Sequence, residues 1–311
     1  ATRLRRLLAQ GHLPYIDIEC SCDPNHLDMA VLARQLDDLH IGLMAMSCDP
    51  VHSAFSGSSE REQMSLKLVA NYPDRFIPVG DGGQPPHTTR DLNNFIESQK
   101  LLAERGDILL FGEYEFRHYP SPRQVKRGQS DRDVNIPIDG PLGHRLFAMS
   151  ERLQLAVQIH YEIEDDLLPA LESMLTQYPQ AKVIWCHLAQ VRYRERAEHY
   201  SARYVAELIE RFPNLYFDTA FGDAHSIYPL SQQRHSRIWD ANGTLDGAWK
   251  ELIVSYPDKF LSALDLGADR MWQIAEYDRK HREFLGQLPH DIRHQVAYRN
   301  AWRLLFSENF S

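Results

Sequence analysis

Two histidines, His160 and His187, each sit near the end of a short apolar run, where the next connection begins. The runs read LAVQIHYE and KVIWCHLA, and the amphipathic stretch DDLLPALESMLTQYP lies between them. Two strand-length apolar segments flanking one helix-length segment make a strand–helix–strand unit, the crossover that parallel strands require. Ligands of parallel α/β folds collect at the C-terminal ends of strands. Two imidazoles at matched strand ends are therefore placed to share one metal ion. A single strand-end histidine, in a chain with 15 of them, is more often structural. The matched pair gives the metal reading its weight.

Carboxylates stand toward the ends of three other predicted strands: Glu19, Glu113 and Asp265. Glu113 follows Gly112 inside the apolar run LLFGEYEF, where an inward carboxylate is costly unless paired or metal-bound. Two histidines and one carboxylate suffice for an open catalytic metal site. Zn²⁺ accepts that set with water in the fourth position, and Fe(II) accepts it with open positions. A further carboxylate nearby could then take a proton from metal-bound water. Each residue also has a structural alternative: Glu19 as a salt-bridged rim carboxylate, Asp265 as a helix cap. Arg117, His118 and Arg123 follow the fourth run, and Arg192 and Arg194 follow the sixth. Of these, Arg117, His118 and Arg192 are candidates for holding a substrate carboxylate or phosphate, against the alternative of a solvated basic loop. Glu162 shares a strand face with His160 and suits a supporting role behind it. Asp218 reads as structural. The thiols of Cys20 and Cys22 alternate away from Glu19 and read as packed core. Gly80-Asp81-Gly82-Gly83 lacks a phosphate-loop pattern and reads as a tight turn.

The elements that must position these residues alternate regularly. Strands are expected at 14–20, 41–47, 75–83, 107–116, 155–162, 182–189, 214–221 and 259–267, with helical segments between them. On the first strand, Asp17, Glu19 and Ser21 share one face and Ile16, Ile18, Cys20 and Cys22 the other. A loop, DPVHSAFSGSS, follows the second strand, and a long loop runs from His118 to Pro141 after the fourth. Helical periodicity from Met271 to Phe306 breaks near Pro289. Eight strand–helix repeats without linker or internal repeat predict a single (β/α)8 TIM-barrel domain over residues 1–311.

Composition fits that class. The chain has 311 residues, 43% hydrophobic and 25% charged, with a formal charge of −9. The acidic balance argues against nucleic acid as a partner, and no apolar run approaches the roughly 20 residues a membrane span needs. The partner expected is a small-molecule substrate, with a homo-oligomer left open. Four cysteines in or near strands suggest reduced thiols, and no signal peptide is visible. A cytoplasmic location is the expectation, or a periplasmic or secreted one if a signal preceded residue 1.

The segments PYIDIEC, LLFGEYEF, LAVQIHYE, KVIWCHLA, NLYFDTAF, FLSALDLG and AYRNAWRLLF together resemble the amidohydrolase superfamily, in its amidohydrolase-related (amidohydrolase 2) branch, across nearly the whole chain. The resemblance implies a metal histidine on strand five (His160) and another on strand six (His187). It implies an aspartate on strand eight that handles the catalytic proton or binds metal (Asp265), and in dinuclear members a bridging residue on strand four (Glu113). The family's first strand usually carries I-D-x-H-x-H. Here Glu19 occupies the first histidine position and Ser21 the second. The expected core is Glu113, His160 and His187, with Glu19 and Asp265 able to recruit a second ion. The metal expected is zinc, with iron or manganese as alternatives, one or two per chain. The activity expected is metal-dependent hydrolysis of a C–N, C–O or lactone bond in a small, anionic molecule. The alternatives are decarboxylation, non-haem (di-)iron oxygenation on the same barrel, or a catalytically degenerate binding barrel.

Overall fold

The computed structural model describes residues 1–22, 27–48, 59–82, 85 and 87–310. Most of the loop expected after the second strand, and Gly83 of the glycine cluster, lie outside the described residues. Eight parallel strands form the core: β1 (Ile16–Cys22), β2 (Leu43–Cys48), β3 (Phe76–Pro78), β4 (Leu110–His118), β5 (Ala156–Tyr161), β6 (Val183–Trp185), β7 (Leu215–Asp218) and β8 (Phe260–Leu261). β1, β2 and β3 pair in order, and so do β4 through β8. Two seams close the ring. A parallel bridge joins Val79 to Leu110, and another joins Cys20 to Leu266, supported by Ile18 N–H donating to Ser262 O at 3.0 Å. The result is the (β/α)8 barrel the alternation predicts.

The strands are apolar because both faces are covered. Every residue of β5 and β6 is buried, as expected for parallel strands between a filled lumen and a helical shell. The helices pack by one stripe. On Met29–Asp38, capped by Asp28 accepting from Ala30 N and Val31 N, the buried residues are Leu32, Ala33 and Leu36. On Ala202–Arg211, capped by Ser201, they are Val205, Leu208 and Ile209. The barrel centre thus sits inside one continuous apolar cluster.

Three expectations need correction. Strict alternation fails on β1: Asp17 pairs with Met44 but Cys20 with Met46, so β1 carries one extra residue. This bulge lets the Cys20 thiol donate to Asp17 Oδ2 at 2.8 Å, although alternation had put the two on opposite faces. The segment from His118 to Pro141 is more ordered than a loop. Ser121 and Gln124 form a capping box at the start of helix Pro122–Lys126, and Val134–Asn135 pairs antiparallel with the end of β4. The S-x-x-Q signal was present in the sequence. Finally, β8 is only two residues long, and Asp265 lies beyond it in a left-handed conformation, φ 50°.

Gly112 shows how the fold delivers a site residue. Its φ is +111°, and a Cβ there would stand 2.7 Å from Gln158 O on β5. Only glycine permits this close approach of β4 to β5, immediately before Glu113.

His281 is buried and its Nε2 lies 2.9 Å from Ser262 Oγ. Burial, with the nearby Arg282 charge, holds its pKa down to about 3, against ~6.5 in an unfolded chain. Between those values the unfolded state binds one proton more at this residue. Its contribution is therefore complete above pH 6.5 and is lost as pH falls toward 3. Thermal unfolding followed from pH 7 to pH 4 should show this decline. The His281→Gln variant should have a slope shallower by up to ~1.4 kcal/mol per pH unit; identical slopes would contradict the assignment.

Candidate metal centre

β4, β5 and the turn after β6 bring three donors together. His160 Nδ1 lies 2.8 Å from Glu113 Oε1, His187 Nε2 lies 3.1 Å from the same oxygen, and the two ring nitrogens are 2.9 Å apart. Ligands held about 2.0–2.2 Å from one ion stand roughly 2.9–3.5 Å from each other, so the triangle is close to the size a metal ion requires.

The outer ring atoms settle which nitrogens face inward. His187 Nδ1 is 3.0 Å from Ala220 O, which can only accept, so Nδ1 carries the hydrogen and Nε2 presents its lone pair. His160 Nε2 is 3.3 Å from Glu162 Oε1, so Nε2 carries a hydrogen and the ring, when neutral, presents its Nδ1 lone pair inward. Such outer partners fix tautomer and raise ligand basicity. Glu162 is in turn bound by Arg192 Nε at 3.3 Å. Burial alone would raise the Glu162 carboxyl, but Arg192 and His160 bring it down to about 2. Asp218 supports the second imidazole: its Oδ1 accepts from His187 N at 2.8 Å and Ala220 N at 3.1 Å, tying the His187 backbone to the residue whose carbonyl orients the ring.

Electrostatics mark the centre as cation-seeking. Burial would lower the His160 pKa, yet Glu113 and then Glu162 lift it to about 10. Burial would raise Glu113, yet the two imidazoles hold it well below the usual carboxylate range. A positive charge is wanted between them. Glu19 stands 3.5 Å from His187 Nε2, is buried, and has no hydrogen-bond partner on either oxygen among the described residues. Burial first, then repulsion from Asp218, Glu113 and Asp265, pushes its carboxyl well up. Around this centre each outer carboxylate has its own guanidinium: Glu115 with Arg132, Glu162 with Arg192, Asp265 with Arg270. The inner carboxylates Glu19, Glu113 and Asp218 pair with none among the described residues. A buried carboxylate without a counter-charge costs several kcal/mol, so the donor set fits a metal ion.

A cavity of about 650 Å³ opens above the triangle, lined among others by Glu113, His160, His187, His118, Arg192 and Asp265. A smaller space of about 40 Å³ adjoins it, walled by Glu19, Ser21, Glu113 and Asp265. The five residues expected at strand ends therefore meet at one mouth. His118 stays neutral, since burial lowers its pKa well below the ordinary value, and its Nδ1–H reaches Arg132 O at 2.6 Å. Arg192 is buried, with Nη1 unpartnered among the described residues. Arg117 does not join them. It is held by Glu164 and Asp133, each at 2.6 Å, outside the residues that line the cavity. A register shift between Glu115 and Arg117 breaks the alternation that would have turned it inward. The sequence pattern does not show Arg132, Arg270 or the hold of Asp218 on the His187 and Ala220 N–H groups; the two arginines lie outside the periodic strands.

Fold and site together define a TIM-barrel protein with a histidine–carboxylate cluster at the C-terminal mouth of its strands. The chain belongs to the amidohydrolase family, in its amidohydrolase 2 group, whose family profile matches residues 49–306. No curated protein matches it by sequence. Solved structures with the same fold include 2,6-dihydroxybenzoate decarboxylase from Rhizobium, at 12% identity over 94% of this chain and 99% of that one, TM-score 0.55. They include 4-oxalomesaconate hydratase from Rhodopseudomonas palustris, at 13% identity over 94% and 95%, TM-score 0.57. A third is dihydroorotase from Campylobacter jejuni, at 10% identity over 96% and 84%, TM-score 0.55. At these identities the likeness is one of fold. No helix among the described residues is long and apolar enough to cross a membrane.

Proposed function

We propose that this protein is a metal-dependent hydrolase of a small anionic molecule, with Glu113 Oε1, His160 Nδ1 and His187 Nε2 as the core ligands. The observation that supports it is the convergence of those three atoms beside buried carboxylates that lack any arginine. A divalent ion held there, of zinc type or alternatively iron or manganese, supplies Lewis acidity and lowers the pKa of water. The chain's own residues do the rest. Asp265, fixed by Arg270 Nη2 at 3.2 Å and lining both cavities, accepts and returns the proton. Arg192, held by Glu162 and lying 4.9 Å over the Tyr228 ring, offers its free Nη1 to a substrate carboxylate. His118 adds a neutral imidazole to the wall.

The same unpartnered Arg192 Nη1 favours one second reading, decarboxylation, in which the bound carboxylate is the group that leaves. A panel of lactones and amides, with and without a carboxylate, separates the two by product. Hydrolysis of the acids, with Arg192→Ala raising KM for them by ~10-fold or more while neutral analogues are unaffected, is the expected result. Loss of CO2 from the same acids without hydrolysis would replace it by the second reading. Failure of both on metal-loaded protein would leave neither standing.

A further inference from the structure

We propose a second cation site beside the first, made by Glu19, Cys186 and Asp218 and suited to a borderline-soft divalent ion such as zinc. The inference rests on the reading of Glu113, His160 and His187 as the first site. One donor atom from each of the three residues lies within 4.8 Å of the others, and all three side chains are buried. Both Glu19 oxygens and Asp218 Oδ2 lack a hydrogen-bond partner among the described residues. Asp218 Oδ1 is fixed by two backbone N–H groups, so the orientation of Oδ2 is set before any ligand arrives.

Charge arithmetic leads the same way. With metal bound, Glu19, Glu113 and Asp218 as carboxylates bring three negative charges to the centre, and the two imidazoles are neutral when they ligate. One divalent ion offsets two of the three charges; the third, together with a Cys186 thiolate, makes the two that a second divalent ion would offset. Asp17, the other buried acid nearby, already accepts from Glu19 N, Leu264 N and the Cys20 thiol and asks for nothing more. Asp265, which the sequence offered as the partner of Glu19 for a second ion, is turned to Arg270. Cys186 takes its place: it directly precedes the ligand His187, and its sulfur brings a softer donor than any carboxylate. Sulfur with two carboxylates selects a zinc-type ion over magnesium or calcium.

The test is titration of chelator-stripped full-length protein with Co²⁺, reading bound metal per chain and the near-ultraviolet thiolate-to-cobalt charge-transfer band. Two equivalents and a thiolate band are expected. Cys186→Ser should abolish the band. Asp218→Asn, which keeps the acceptor for both backbone N–H groups, should lose one equivalent. His160→Ala should lose the other while the band persists. One equivalent without a thiolate band would overturn the second site and leave the first intact, with a proton shared by Glu19 and Asp218 in its place. A band that survives in Cys186→Ser would also overturn it. No bound cobalt at all would remove both sites.

Discussion

His160→Ala and His187→Ala should each strip the ion from the Glu113–His160–His187 site and with it turnover. Each imidazole supplies one of three inward donors, and each is locked by an acceptor behind it, Glu162 for His160 and Ala220 O for His187. Loss of a supporting partner alone typically costs ~10–100-fold in metal affinity, so loss of a ligand should cost more. The variants should remain folded, since deletion relieves two mutually facing nitrogens 2.9 Å apart. Metal content by plasma emission and unfolding midpoint, measured on the same preparations, decide it. Ser21→Ala is the control. Ser21 lines both cavities, but the account gives it no metal to hold, and its variant should keep the metal. A Ser21→Ala protein without metal, beside histidine variants that retain it, would show that the first strand had been misread.

Asp265→Asn should reduce turnover by about 10²–10⁴-fold, the usual worth of general acid–base catalysis. The substitution keeps shape and an oxygen for Arg270 but removes the base. Asp265 lies outside the Glu113–His160–His187 triangle, so core metal content should not change. If turnover and metal fall together by about one equivalent, Asp265 is a ligand rather than a proton carrier. Unchanged activity with unchanged metal would leave it only as the partner of Arg270.

The convergence of Glu113, His160 and His187 was legible because it depends on where strands end. His160 and His187 close apolar runs whose length and spacing admit only strands separated by a helix, and the barrel then puts those ends at one mouth. Glu113 was legible from cost, as a carboxylate inside an apolar run. What failed was fine alternation. The extra residue on β1 moved the Cys20 thiol onto Asp17, and the shift between Glu115 and Arg117 sent that guanidinium to Glu164 and Asp133. Period-two reasoning cannot place a bulge, because the bulge is fixed by the neighbouring strand and not by its own residues. Asp218 was undervalued for a related reason. Its chemistry comes from Glu19, on a strand that is distant in sequence and not adjacent in the sheet. Arg132 and Arg270 come from connections with no period to read, so only the folded chain shows which carboxylates they neutralise and which they leave bare.

The most direct test is an anomalous difference map from crystals of protein purified without chelator, collected on either side of the zinc, iron and manganese absorption edges. The account predicts a peak enclosed by Glu113 Oε1, His160 Nδ1 and His187 Nε2. A map with no peak there, and the three side chains joined directly to one another by hydrogen bonds, would contradict it.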